Sequence, residues 1–287
     1  LDTAYKAGVT YYDTAYFYHQ HTGEAFLGRA MKRYPRDTFY LATKMPMSIV
    51  ESLDHAKEIF EGQLAALQTD YVDFYLLHGV NGERWKQAQE MGIVDFLLEM
   101  QKAGRIRYFG FSFHGSYEEF ETILTARDWD FCQIQFNYMD QEIQAGMRGY
   151  ALAEKLGVPI IVMEPVKGGL LADPPQAVRA ILDEAFEGQS YATIALRFAA
   201  SVPGVFCTLS GMNELTQVED NCHAFESFQP MNETELAAIK KAQEIMEKSG
   251  TVQCTGCDYC AKVCPQGIGI SGSIEALNYY INFDDPY

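Results

Sequence analysis

Val72-Asp73-Phe74-Tyr75-Leu76-Leu77-His78 is a near-continuous apolar run closed by a histidine, and Ile160-Ile161-Val162-Met163 repeats the pattern without a polar break. Runs this short and this apolar suit strands buried on both faces, as in a parallel sheet covered by helices. Working outward, β-rich runs recur at Val9–Thr14, Thr38–Lys44, Arg107–Ser112, Phe131–Asn137 and Gly204–Leu209. Helical patterns fall between them at Thr22–Arg33, Glu51–Leu67, Met91–Ala103, Tyr117–Ala126, Gln144–Leu156, Ile194–Ser201 and Leu215–Phe225. The longer gap before the last strand holds Gly168-Gly169 and Asp173-Pro174-Pro175, which reads as an extended loop. Strand–helix units spaced by about 25–35 residues imply βαβ units in series. Eight would close a barrel, so the chain reads as α/β, a (β/α)8 TIM barrel lacking its first strand. A doubly wound open sheet is the alternative.

Composition narrows the function classes. The 287 residues are 48% hydrophobic and 21% charged, enough for a large core and one or two domains. The net charge of −17 argues against nucleic acid or an anionic membrane as partner. No apolar run approaches the roughly 20 residues of a membrane span, and no basic-then-apolar leader opens the chain. A cytoplasmic location is expected. The chain opens on Leu1 in a helical pattern and stops at Tyr287 just after another, so both ends look cut.

Near the C-terminus, Cys254-x₂-Cys257-x₂-Cys260-x₃-Cys264-Pro265 places four of the seven cysteines in eleven residues. This is the bacterial ferredoxin run that wraps a 4Fe–4S cluster. Two-residue gaps let a tight loop curl round the cluster so that successive sulfurs reach different irons. Zinc also takes C-x₂-C knuckles but usually pairs two across a longer spacer, and a disulfide framework needs an oxidising compartment. A capped helix beginning at Asn232 or Thr234 precedes the run, and Gly267 to Gly272 with a further helix follows it. The expected division is a barrel over 1–228, a connecting helix over 229–250 and a small α-helical ferredoxin-like iron–sulfur domain over 251–287. Isolated Cys132, Cys207 and Cys222 read as small buried hydrophobes.

In a barrel of this kind the active site lies at the C-terminal ends of the strands. Reading those ends alone gives Asp13, with Tyr18 five residues on, then Lys44, His78, Ser112 and Asn137. The combination has a clear use. A tyrosine hydroxyl, with an ordinary pKa of about 10, is a poor acid at neutral pH. The ammonium of Lys44 would make it a better one, Asp13 would keep that lysine charged and oriented, and His78 could orient a carbonyl. His19, His21 and His114 lie in loops near the same mouth, without the i, i+4 spacing of a metal pair.

The segments Tyr12-Asp13-Thr14-Ala15-x-x-Tyr18, Ala42-Thr43-Lys44, Tyr75-Leu76-Leu77-His78, Gly110-Phe111-Ser112, Gln135-Phe136-Asn137-Tyr138 and Gly211-x₉-Asn221 resemble the signature of the aldo/keto reductases. The likeness covers about residues 1–228, and the whole chain resembles a subfamily with a C-terminal ferredoxin-like domain. It implies a general acid at Tyr18, tuned by Lys44 and Asp13, with His78 positioning a small carbonyl or alcohol substrate. It implies an NADP or NAD site at Ser112, Gln135, Asn137, Met163, Gly211, Gln217, Asp220 and Asn221. Three departures stand out. The family's first strand would precede Leu1. Met163-Glu164 stands where an aromatic ring stacks on the nicotinamide. Gly211 and Gln217 stand where Lys and Arg meet the 2′-phosphate, so NADH becomes an alternative.

A nicotinamide moves two electrons as hydride, whereas a 4Fe–4S cluster moves one. No flavin fingerprint is readable at Lys167-Gly168-Gly169. The cluster is therefore expected to serve an electron-transfer protein, an unusual substrate, or structure alone. Two ligand sets remain open. Either all four cysteines bind one cluster, or Cys264 belongs to a second cluster completed by a run beyond this chain. The leading expectation is an aldo/keto reductase-like oxidoreductase; the alternative is an iron–sulfur electron-transfer or sensor protein whose barrel no longer catalyses.

Overall fold

A computed structural model describes residues 1–248, 250, 252, 254 and 259–283. Among the described residues the strands are β1 (Tyr11–Asp13), β2 (Tyr40–Met45), β3 (Val72–Val80), β4 (Ile106–Phe113), β5 (Phe131–Gln135), β6 (Ile160–Met163) and β7 (Val205–Thr208). They form one seven-stranded parallel sheet in chain order. Parallel neighbours need a crossover at each step, and helices supply it.

Side-chain alternation on β3 divides the apolar interior in two. Tyr75 and Leu77 face the helix layer, where they join Phe60, Leu64, Phe109, Phe111 and Trp129 in the main core. Phe74 and Leu76 face the opposite way, into a cluster with Ala42, Phe131 and Ile161. The Phe74 ring lies 5.0 Å from Tyr11 on β1 and 6.0 Å from Phe206 on β7. Strands at the two ends of the sheet therefore meet across a common bore, and the sheet is a nearly closed barrel. Ladder hydrogen bonds run from β1 to β7 but do not join β7 to β1 among the described residues. Gly110 on β4 makes room in the bore: a Cβ there would lie 2.7 Å from the Phe131 ring and 2.5 Å from its carbonyl oxygen.

Among the described residues of the barrel the α-helices follow the expected order, with two additions. Gly82–Glu90 is helical, capped by Asn81, whose Oδ1 accepts the Arg84 N–H at 2.9 Å. Gln176–Ala185 is also helical, where an extended loop was expected. Pro174-Pro175 precedes that helix rather than breaking it, because proline is tolerated at a helix start, where its missing N–H costs nothing. The helix expected within 229–250 runs Glu233–Lys248. It buries Ala238, Ile239 and Ala242 and packs on Gln176–Ala185. Its first turn is tied down by an ion pair of Glu235 with buried Arg197 at 2.9 Å. Beyond it, helices span Tyr259–Val263 and Ile270–Phe283. Asn278 bonds both backbone groups of Val252, at 2.7 and 2.6 Å. No described helix is long and apolar enough to cross a membrane.

Candidate active site

On the first four strands the bore-facing phase carries a polar group to the same mouth: Asp13 above Tyr11, Lys44 above Ala42, His78 above Leu76, Ser112 above Gly110. Lys44 is fully buried. Its Nζ donates to Asp13 Oδ1 at 2.6 Å and to the Thr14 carbonyl at 2.8 Å, and it lies beneath the Tyr18 side chain. Burial alone would push this ammonium down, but Asp13 and Tyr18 outweigh it and hold Lys44 above its ordinary value. The lysine is therefore a fixed cation under the tyrosine.

Tyr18 sits in the loop after β1, fixed by its N–H on the Ala15 carbonyl at 3.0 Å and its carbonyl under the Gly23 N–H at 3.1 Å. Its ring lies 4.9 Å from Lys44 Nζ and meets the His78 ring edge-on at 6.0 Å. Tyr18 is 38% exposed, so the hydroxyl joins a buried charge to the open mouth. The same loop holds His19, Gln20 and His21 at φ of 52°, 55° and 66°. Three successive non-glycine residues in the left-handed region are a costly arrangement, of the kind concentrated at functional sites. His21 packs on Tyr16 and Phe17.

His78 is partly buried, and desolvation with the positive field of Lys44, His114 and Arg84 pushes its imidazole down to about 3. It is neutral at physiological pH and can donate one N–H to an oxygen. In the unfolded chain the same ring charges near its ordinary 6.5. Between those values the unfolded state binds the extra proton, so this residue's contribution to stability is lost as pH falls from about 6.5 toward 3. The expected result is a His78 imidazole NMR signal that does not titrate between about pH 5 and 8. A midpoint near 6.5 would show instead that the ring is solvated.

The amide-bearing residues divide into two groups. Gln135 and Asn137 both donate to Asp140 Oδ2, each at 2.9 Å. Asn137 also donates to the Glu164 carbonyl at 3.0 Å and accepts the Met139 and Asp140 N–H groups, while Gln135 accepts from Gln144 at 2.9 Å. Lys167 closes this network on the other oxygen of Asp140 at 2.5 Å. Gln133 is different. It stands opposite Ser112 in the β4–β5 register, its Nε2 reaches Met163 Sδ at 3.4 Å, and its Oε1 is buried without a partner. A buried acceptor lacking a donor marks a place for an N–H from elsewhere. Sequence reasoning passed over Gln133; its two-residue alternation with bore-facing Phe131 was the available signal. Ser112 Oγ accepts the Gly79 N–H at 2.8 Å and keeps its own O–H to give.

After β7 the chain turns into helix Leu215–Glu226. Gln217 Oε1 accepts the Asn213 and Glu214 N–H groups at 2.9 and 3.3 Å, so it caps that helix. Asp220 accepts from Ser190 at 2.5 Å, and Asn221 donates to Ser210 at 2.9 Å. Space is open around Gly211. No Lys or Arg occurs between residues 209 and 226.

Of the cysteine run, Cys254, Cys260 and Cys264 are described and half-buried, and Cys257 lies outside the described residues. Backbone N–H groups of Ile268, Gln266 and Gly267 hold the Cys264 thiol below its ordinary value. Among the described residues no three His, Cys, Asp or Glu side chains gather round one point as metal ligands do.

Comparison with known proteins places this geometry in a family. The model of the aldo/keto reductase family matches residues 1–244. Aldo-keto reductase AKR11C1 from Bacillus halodurans, solved in its holo form, superposes with a TM-score of 0.70 at 27% identity over 84% of this chain and 85% of its own. A Klebsiella pneumoniae aldo-keto reductase solved with NADPH shares the fold, with a TM-score of 0.68 at 23% identity over 84% and 82%. The Bacillus subtilis oxidoreductase YqkF is 24% identical over 275 residues, 84% of this chain and 85% of its own. Against three further curated relatives the chain spans about half of their length, 48 to 50%. By the match over most of its length, the chain belongs to the aldo/keto reductase family.

Proposed function

We propose that the barrel reduces a small carbonyl compound, or oxidises the matching alcohol, with NADP or NAD as its nicotinamide cofactor. The observation that carries this reading is fully buried Lys44 paired with Asp13, its ammonium 4.9 Å from the Tyr18 ring, with His78 against that same ring. Tyr18 gives its hydroxyl proton to the substrate oxygen, and the ammonium beneath it stabilises the phenolate left behind. Neutral His78 donates its N–H to the same oxygen and fixes the direction of approach. The orphan acceptor of Gln133, with the free O–H of Ser112 beside it, fits the N–H₂ and C=O of a carboxamide. Met163 would lie against the ring face, with Gln135 and Asn137 as a supporting layer over Asp140. Gly211, Gln217, Asp220 and Asn221 would line the adenosine end. A reduced nicotinamide supplies the hydride to the carbonyl carbon when bound. The Klebsiella relative's NADPH supports the phosphorylated cofactor; the absence of Lys and Arg from 209 to 226 supports NADH. Titration with NADH and NADPH, followed by carbonyl-dependent loss of their absorbance, tests the reading. Failure to bind either cofactor would overturn it in favour of an electron-transfer or sensor role for the chain.

We further propose that Cys254, Cys257, Cys260 and Cys264 serve a 4Fe–4S centre in a ferredoxin-like unit over 251–287, reached through 229–250. The support is the ligand spacing in the sequence. Anaerobically purified protein is expected to contain about four iron and four sulfide per cluster. Protein with tightly bound zinc and no sulfide would replace the cluster with a zinc site. Iron content in Cys264→Ser distinguishes a fourth ligand from a cysteine that belongs to a second cluster with an electron-transfer partner.

A further inference from the structure

Arg84 lies outside the reductase constellation, yet its side chain turns back over the end of β3. Its Nη1 donates to the carbonyl of Gly79, the residue after His78, at 2.6 Å. Gly79 has φ of +58°, and a Cβ on it would lie 3.1 Å from Arg84 Nη1 and 4.0 Å from His114 Cδ2. The guanidinium and the His114 ring therefore converge on the backbone beside His78, and glycine leaves them room. No carboxylate pairs with Arg84 among the described residues, and its remaining nitrogens have no hydrogen-bond partner there. Three sequestered cations of this acidic chain are matched by carboxylates, Lys44 with Asp13, Lys167 with Asp140 and Arg197 with Glu235, whereas Arg127, also without an ion pair among the described residues, lies against the Phe109 and Trp129 rings away from the mouth. The positive field of Arg84 is felt at both histidines. His78 also has an aromatic neighbour, the Phe17 ring, 6.4 Å away and 37% exposed.

A guanidinium without a carboxylate partner and a partly exposed aromatic ring, both beside His78, suit a ligand with an apolar middle and an anionic end. Planar carboxylate is the natural partner for the guanidinium fork. Resting on the reductase reading above, we propose that Arg84 determines substrate specificity by binding a carboxylate, so that the site takes aldehydes or ketones bearing an acid group on an aryl or alkyl spacer.

The test uses the full chain with reduced nicotinamide, and 4-carboxybenzaldehyde against its methyl ester. The native protein is expected to favour the acid by about tenfold or more in kcat/KM, the scale of a charge-assisted hydrogen bond. Arg84→Gln should raise KM for the acid by that factor, leave kcat close to native, and leave both constants for the ester unchanged. Arg84→Lys should restore part of the preference. Equal use of acid and ester by the native protein, or an equal loss for both in Arg84→Gln, would overturn the assignment. Benzoate binding is measured calorimetrically in parallel on the same proteins. Binding that depends on Arg84 without turnover of either aldehyde would sink the reductase reading and keep the anion site. No benzoate binding by the native protein would overturn the anion site whatever the turnover.

Discussion

Replacing Tyr18 by phenylalanine is expected to lower kcat for carbonyl reduction by about 10²–10⁴-fold, the usual reach of a positioned general acid. The fold should not notice. Lys44 keeps Asp13 Oδ1 at 2.6 Å and the Thr14 carbonyl at 2.8 Å when the hydroxyl is gone, so no buried charge is orphaned. The ring is 38% exposed and its contacts with His78 and the ammonium do not involve the oxygen. Cofactor affinity should also be unchanged, which separates proton transfer from binding. Lys44→Met is the contrasting variant. It removes the cation beneath the tyrosine and also leaves Asp13 buried without its partner, so it should lose both turnover and about 3–5 kcal/mol of stability. A Tyr18→Phe protein that keeps turnover within tenfold of native would remove the tyrosine from the mechanism. One that melts early would make the loss structural.

Much of this site could be read from local pattern, because barrel strands announce themselves twice. Their apolar runs are bounded by turn residues, and their C-terminal ends carry the only polar groups that a bore can gather at one mouth. Val72–His78 was readable to within two residues of β3 for that reason. Two helices of the barrel were not. Gly82–Glu90 buries only Trp85 and Ala88, too little to generate a helical stripe, and it is this helix that delivers Arg84. Gln176–Ala185 was hidden by the prolines at its start. The phase of β5 shows a different limit. Gln133, Gln135 and Asn137 are all plausible amides by type, and only the partners distinguish them: two are saturated by Asp140 and one keeps a bare acceptor. Those partners come from other loops, and short-range periodicity carries no information about them. The cysteine run is the reverse case, legible in spacing alone, with Cys257 outside the described residues.

The Asp140–Lys167 pair, 27 residues apart and invisible to any local rule, sets the second large expected effect. The Asp140 side chain is fully buried and that of Lys167 is 11% exposed. The carboxylate also accepts from Gln135 and Asn137, so it orients both amides behind the mouth. Lys167 itself sits at φ of 51° in the loop after β6, beside Gly168 and Gly169, also at positive φ. Breaking a buried pair from one side leaves a charge that water cannot reach, at a cost of about 3–5 kcal/mol. Lys167→Met should show that full loss as a lower urea midpoint with unchanged slope, because Asp140 cannot move to solvent. Asp140→Asn should cost less, since the long lysine can turn its ammonium outward. The double variant Asp140→Asn/Lys167→Met should recover a substantial part of the Lys167→Met loss, because no net charge stays behind and the asparagine oxygen still accepts from its neighbours. Strict additivity of the two single losses would mean that the charges are not coupled, and that the loop after β6 is held by its backbone alone.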